Sequence, residues 1–158
     1  MNTYFKVIDD IKASLIVEPF CNTVTQGDIY EVDLNKITIF PLAHIMIESI
    51  DIQTNQISLG ISILFMDIVD FSKDSIVDSL RGNDNEMDVI NNMMNLAARL
   101  QAEMSRSNSY SGTYELAGSF SCTPFKERFE NNLSGLSCDF SVNLSNNMGL
   151  RLTGSNKC

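Results

Sequence analysis

The sequence predicts an α+β fold, an antiparallel or mixed β-sheet of four to six strands with two amphipathic helices packed on one face. Three observations lead there. Residues near the start and past the middle of the chain repeat apolar side chains at three- and four-residue intervals, the spacing of helices that bury one side. Two other stretches, Ile57 to Phe65 and Leu136 to Leu144, alternate apolar and polar residues, the period of half-buried strands. The third is size and composition. A chain of 158 residues, 44% hydrophobic and 20% charged, is enough for one core-forming domain and fits neither wholesale disorder nor a fibrous repeat. The expected organisation is a single domain over residues 1–145 and a polar C-terminal arm over 146–158, where the patterning stops.

In order along the chain, Tyr4, Ile8, Ile11 and Leu15 mark one face of a helix over residues 3–17. Glu18-Pro19 ends it, because a residue before proline is pushed out of the α region. Gly27-Asp28 then leads into Ile29-Tyr30-Glu31-Val32-Asp33-Leu34, whose alternation predicts a strand. Past Pro41 the β-branched run continues through Ile45, Ile47, Ile50 and Ile52, and its period slips by one at Glu48-Ser49, the signature of a β-bulge. Gln53-Thr54-Asn55-Gln56 is a turn, so residues 43–66 read as a long hairpin. Gly60, inside its stronger strand, marks a bend or a close approach of another backbone.

Residues 67 to 88 collect seven acids and two bases around Gly82-Asn83 and read as a long exposed connection. Asp84 or Asn85 is placed to cap the next helix, whose first turn holds Glu86 and Asp88, the charge sign that suits a helix N-terminus. Met87, Ile90, Met94, Ala97, Leu100 and Met104 outline an apolar face for that helix. Phe120, Cys122 and Phe125 surround Thr123-Pro124, and the proline predicts an edge strand or a strand entry. After Asn131-Asn132 comes the clean alternation of Leu136, Cys138, Phe140, Val142 and Leu144.

The charge is −9, with twenty acids against eleven bases. Tight wrapping of nucleic acid needs the opposite balance. Residues 1–66 and 67–88 each carry −5, and residues 89–158 carry +1, so the acidic excess is local. Solvated loops account for most such excesses; the sharper meaning is a surface that repels polyanions or docks on a basic partner. Cys21, Cys122, Cys138 and Cys158 form no CxxC pair and His44 is the sole histidine, so no zinc spacing exists and four reduced thiols are expected. No secretory apolar core precedes the first helix and no apolar run approaches the ~18 residues of a membrane span, which implies synthesis in the cytoplasm.

No catalytic motif stands out. Asp67, Asp70, Asp74 and Asp78 suit a hard cation by type, but the ordered D-x-[DN]-x-[DN]-G loop is missing. His44 lies between Ala43 and Ile45 with no serine or cysteine tied to it by motif, the setting of a structural histidine. Met87, Met93, Met94 and Met104 suit an adaptable binding surface by type, but methionines at helical spacing are more often core filling. Without GxGxxG or GxxxxGK, nucleotide binding is disfavoured.

The order of elements, and in particular the helix at 3–17, the strand Ile57-Ser-Leu-Gly-Ile-Ser-Ile-Leu-Phe-Met-Asp67, the helix from Asp88 to Arg106 and Phe129-Glu-Asn-Asn-Leu-Ser-Gly-Leu-Ser-Cys-Asp-Phe140, resembles the tail-terminator and tail-completion proteins of tailed bacteriophages. The flavour is nearest to ring proteins of crAss-like phages. The resemblance spans residues 3–145 by element order, not by a diagnostic motif. It implies a virion protein of the head–tail connector, assembled in the host cytoplasm as a ring of six or twelve copies. Such a ring stacks below the portal against neighbouring ring or tail proteins and lines the DNA channel. It implies no catalysis, no cofactor, no metal and no membrane, and DNA that passes without tight binding. The loop bearing Asp67, Asp70, Asp74, Asp78, Asp84 and Glu86 then becomes the candidate lumen or ring contact. Two other classes stay open: an intracellular adaptor or chaperone with an acidic docking face, and a small metal- or ligand-binding enzyme subunit using the acidic cluster and His44.

Overall fold

A computed structural model of the chain describes residues 3–33, 36–70, 78–80, 82, 84–106, 114–126 and 132–146. Its fold is α+β: a five-stranded mixed sheet, not closed on itself, with two helices on one face. The elements are α1 (Thr3–Ile16), β1 (Thr23–Gln26), β2 (Leu42–Ile52), β3 (Gln56–Ile68), α2 (Glu86–Arg106), β4 (Tyr114–Phe125) and β5 (Leu133–Ser145), with short 3-10 turns at Ile29–Glu31 and Ile37–Ile39. Strand order is β1-β2-β3-β5-β4; β1 runs parallel to β2 and every other pair is antiparallel.

α1 ends where proline dictates. The Glu18 N–H bonds the Leu15 carbonyl at 3.1 Å and the Cys21 N–H bonds the Glu18 carbonyl at 3.2 Å, which turns the chain into β1. Its buried stripe is Val7, Ile11 and Leu15, each 0% exposed. These meet Leu59, Ile61, Ile63 and Phe65 of β3, the inward side chains of β5, and the buried side of α2 in one core. The helices therefore cover the face of the sheet formed by the apolar residues of the Ile57-to-Phe65 alternation.

The buried side of α2 is Val89, Met93, Leu96, Ala97, Leu100 and Met104, which bears out the outlined face at Ala97, Leu100 and Met104 and corrects it over the first half of the helix. Met87 and Met94 are about half exposed. The stretch from Val89 to Ala98 carries no charge, so its apolar sector is wide, and packing against the sheet selects which edge of that sector turns inward.

Over the described residues 29–33 the expected strand does not form; Leu34, its last residue, lies outside the described residues. Asp28 instead accepts a hydrogen bond from the Tyr30 N–H at 3.0 Å and caps a 3-10 turn, and Tyr30 points into solvent at 92% exposure. Ile29, Val32, Ile39 and Phe40 then pack on the other face of the sheet, against Leu42, Leu64, Met66, Phe125 and Leu133. Alternating apolar residues there serve a covering segment, not a ladder. The strand that does form, β1, lies just upstream in the polar sequence Thr-Val-Thr-Gln. The Phe40–Pro41 peptide bond is cis.

The hairpin reads as its sequence does. β2 and β3 pair from Leu42↔Met66 to Ile52↔Ile57, with a register shift between Ile47 and Ser49, and the Gln53 N–H closes the turn on the Gln56 carbonyl at 2.8 Å. Gly60 stands opposite the bulge, where a Cβ would run into the Ser49 hydroxyl. Gly135 is a second close approach: a Cβ there would collide with the Phe65 carbonyl of β3. β4 is the sheet edge, as Pro124 implied, and is interrupted between Ala117 and Ser121, with Gly118 at φ 89°.

Asn146, assigned above to the arm, belongs to the body. Its N–H and side-chain amide bond the carbonyls of Asn55 and Gln53 at 3.0 and 2.7 Å. The rest of the expected arm, residues 147–158, lies outside the described residues.

Candidate functional site: the acidic connection and the sheet face

The acidic connection leaves β3 at Asp67 and enters α2 at Glu86. Asp67 is half-buried at the strand end, and its Oδ1 accepts the Ile68 N–H at 2.8 Å. Burial raises its pKa; the Ile68 hydrogen bond partly opposes this and the neighbouring Asp70 charge adds to it. Asp70 is exposed, and its backbone is clamped at both ends to Asn85: the Asp70 N–H donates to Asn85 Oδ1 at 2.7 Å, and the Asn85 N–H to the Asp70 carbonyl at 3.3 Å. One asparagine thus ties the two ends of the connection together.

Asp78 makes a local turn, its carboxylate accepting from the Leu80 N–H at 2.9 Å and its carbonyl from the Gly82 N–H at 2.8 Å. Asp84 Oδ1 accepts the Glu86 N–H at 3.3 Å and so caps α2, while Asn85 supplies the carbonyl for the first helical bond, to Val89, at 2.9 Å. Glu86 pairs with Lys126 just past β4 at 2.7 Å. Asp74 lies outside the described residues. The Asp70–Asn85 clamp brings Asp67 and Asp70 close to the start of α2, but each described acid except Asp70 uses its carboxylate locally in a turn, a cap or an ion pair. Among the described residues no group of three or more His, Cys, Asp or Glu is arranged to hold a metal ion.

Across from Asp67 in the β3–β5 register stands Ser134, 0% exposed, whose hydroxyl has no hydrogen-bond partner among the described residues. A buried hydroxyl left in that state costs stability.

His44 is 0% exposed. Its Nε2 lies 3.0 Å from the Gly27 carbonyl and its Nδ1 2.7 Å from the Thr25 hydroxyl. A carbonyl only accepts, so Nε2 carries the proton and donates to it, and Nδ1 accepts from Thr25. Burial lowers the histidine pKa, against the smaller opposing effects of the Gly27 carbonyl and the Asp28 charge. The imidazole is thus neutral and sealed in, joining β1 and the turn after it to β2. A threonine–histidine pair at this distance has the geometry of a nucleophile and its base, but a ring with no exposed surface is a strut.

The four expected thiols are corrected at two positions. Cys122 of β4 and Cys138 of β5 face each other in register and are joined by a disulfide. Cys21 is a free, buried thiol whose pKa burial pushes up to about 11. Cys158 lies outside the described residues.

Sequence reasoning about the acidic loop passed over the sheet itself. The five strands contain Glu48, Asp51, Asp67, Glu115 and Asp139 and not one lysine or arginine. On the face away from the helices, beyond the patch covered by residues 29–40, Glu48, Gly60, Asp139 and Ser141 line an open cleft. Exposed Asp139 stands between Ser62 and Ser121 in the register, and Ser58 pairs with Asn143. This surface of hydroxyls, amides and carboxylates was legible as the polar half of each strand's alternation. In a comparison with known protein families and with curated proteins, the chain matches none.

Proposed function

We propose that the chain is a structural, non-catalytic subunit of an oligomeric ring in a bacteriophage head–tail connector, stacked below the portal and passing DNA through its channel. The observation that carries this is the charge of the sheet. Four of the five strand carboxylates, Glu48, Asp51, Glu115 and Asp139, share the helix-free face by register and the strands bring no base to it. A duplex therefore finds few cations there with which to release its counterions, and DNA slides past and does not stick. Within this proposal the lumen is lined by the helix-free face around Glu48, Asp139 and Ser141. The connection from Asp67 to Glu86, whose described carboxylates mostly serve its own turns and cap, takes the role of a contact between rings. The helices on the opposite face leave both sheet edges, β1 and β4, for different sides of neighbouring subunits, as a closed ring with a heterologous interface requires.

The test is negative-stain imaging of the full chain with and without its portal-side partner, coupled to a DNA-binding titration. Annular particles that bind duplex DNA no better than ~10⁻⁴ M at physiological salt, the weak end of non-specific binding, are the expected result. Glu48→Lys/Asp139→Lys is expected to keep the annulus and gain salt-sensitive DNA affinity. Rings whose DNA affinity is unchanged by that reversal would remove the sheet face from the lumen. A protein that stays monomeric with every partner would remove the ring.

A further inference from the structure

β4 is held to the sheet unevenly. Its ladder with β5 runs from Tyr114 to Ala117, breaks, and resumes over residues 121–125. The resumed piece is an edge segment containing Pro124, which has no N–H to give. At its middle Cys122 is joined to Cys138 both by register and by the disulfide. The two sulfurs have different surroundings. Cys122 is exposed, whereas Cys138 is 0% exposed in the core, directly opposite Ile63 of β3.

We propose that Cys122–Cys138 is a thiol–disulfide switch that sets how firmly the outer half of β4 is bound to the sheet, driven by exchange with a low-molecular-weight thiol–disulfide couple of the glutathione type. The asymmetry of burial fixes the order of events. In oxidation, the exposed Cys122 thiolate attacks the small disulfide, forms a mixed disulfide and expels one small thiolate. The Cys138 thiolate, facing it across the strands, then attacks the Cys122 sulfur and expels the second. Two protein thiols and one small disulfide become one protein disulfide and two small thiols, so two electrons and two protons pass to the couple. In reduction, an external thiolate reaches only the Cys122 sulfur, and Cys138 leaves. A reduced Cys138 remains packed as a small apolar side chain, so the core survives in both states and only the tie at the edge is lost. The proposal stands on the sheet alone and is independent of ring formation.

The experiment uses the full chain equilibrated with oxidised or with reduced glutathione. Intact mass reads the loss of two hydrogens, and hydrogen exchange is followed over residues 121–125. Exchange there is expected to be slower in the oxidised protein by up to about 100- to 200-fold, the full effect of closing a loop of this size, with β2 and β3 unchanged. Cys122→Ser is expected to match the reduced protein under both conditions. A protein that keeps all its thiols in oxidised glutathione, or a disulfide form that exchanges over 121–125 as fast as the reduced form, would overturn the switch. Should Cys122→Ser fail to fold, the comparison of oxidised with reduced wild-type protein decides the matter by itself.

Discussion

At the scale of single residues, His44 gives the molecule a pH dependence whose sign follows from its burial. Its folded pKa is held below the ordinary value of 6.5. Above that value the ring is neutral in both folded and unfolded chains and contributes no pH dependence. As the pH falls through 6.5 the unfolded chain takes up a proton that the folded protein refuses, so stability declines until the lowered folded pKa is reached. Urea midpoints between pH 5 and 8 are expected to fall toward acid in the wild type more steeply than in His44→Gln. Equal slopes in the two would contradict a buried neutral imidazole. Gly60 supplies a second residue-level expectation. Gly60→Ala pushes a methyl onto the Ser49 hydroxyl and is expected to cost about 1–3 kcal/mol. Adding Ser49→Ala should recover most of that loss, seen as a coupling in a double-mutant cycle. That the strand needs a glycine at this point was legible from its place in the alternation, but what approaches is the side chain of the bulge serine, set by the register, and not another backbone. The Ser134 hydroxyl was not legible, because burial without a partner is a property of three-dimensional packing. Ser134→Ala is expected to be neutral or stabilising by up to about 1 kcal/mol in thermal unfolding.

At the scale of elements, the strands with strict alternation and the helix ended by Glu18-Pro19 were readable because a single local rule decides each of them. The β2–β3 hairpin was readable down to its bulge, since a one-residue slip in period has no other cheap explanation. Two elements escaped. Residues 29–34 alternate like a strand, but Asp28 offers a side-chain cap that alternation does not count, and the apolar residues have a patch to cover. β1 escaped because Thr-Val-Thr-Gln is polar and short; its place beside β2 depends on the strut from Thr25 to His44, a contact between residues far apart in sequence. For α2 the element was legible and so was the inward face of its second half, at Ala97, Leu100 and Met104; the face of its first half was not. The difference has a simple check: Met93→Ala is expected to cost about 2–5 kcal/mol by chemical denaturation, and Met94→Ala no more than about 0.5 kcal/mol. The reverse ranking would restore the face outlined by Met87, Ile90 and Met94.

At the scale of the whole molecule, charge and architecture are the features that bear on function. The bases of the described residues sit on helices and connections, at Lys6, Lys12, Lys36, Arg99, Arg106 and Lys126, while the strands carry acids alone. Lys6–Asp10 and Arg99–Glu18 place some of those bases in ion pairs on the helical side, at 2.9 and 3.2 Å. The result is a set of strands with a single sign of charge, backed by a helical layer of mixed sign and crossed on the other face by the segment that carries Lys36. Overall acidity was plain in the composition, and so was its concentration in residues 67–88. That the strands are free of bases was equally present in the sequence, but it gains meaning only when the strands are assembled side by side. The most direct measurement of the ring proposal is mass photometry of the purified full chain, alone and with its portal-side partner. The expected result is a discrete species at six or twelve times the 17.6 kDa chain mass, formed either alone or on the partner. A single species at the monomer mass under every condition would contradict it.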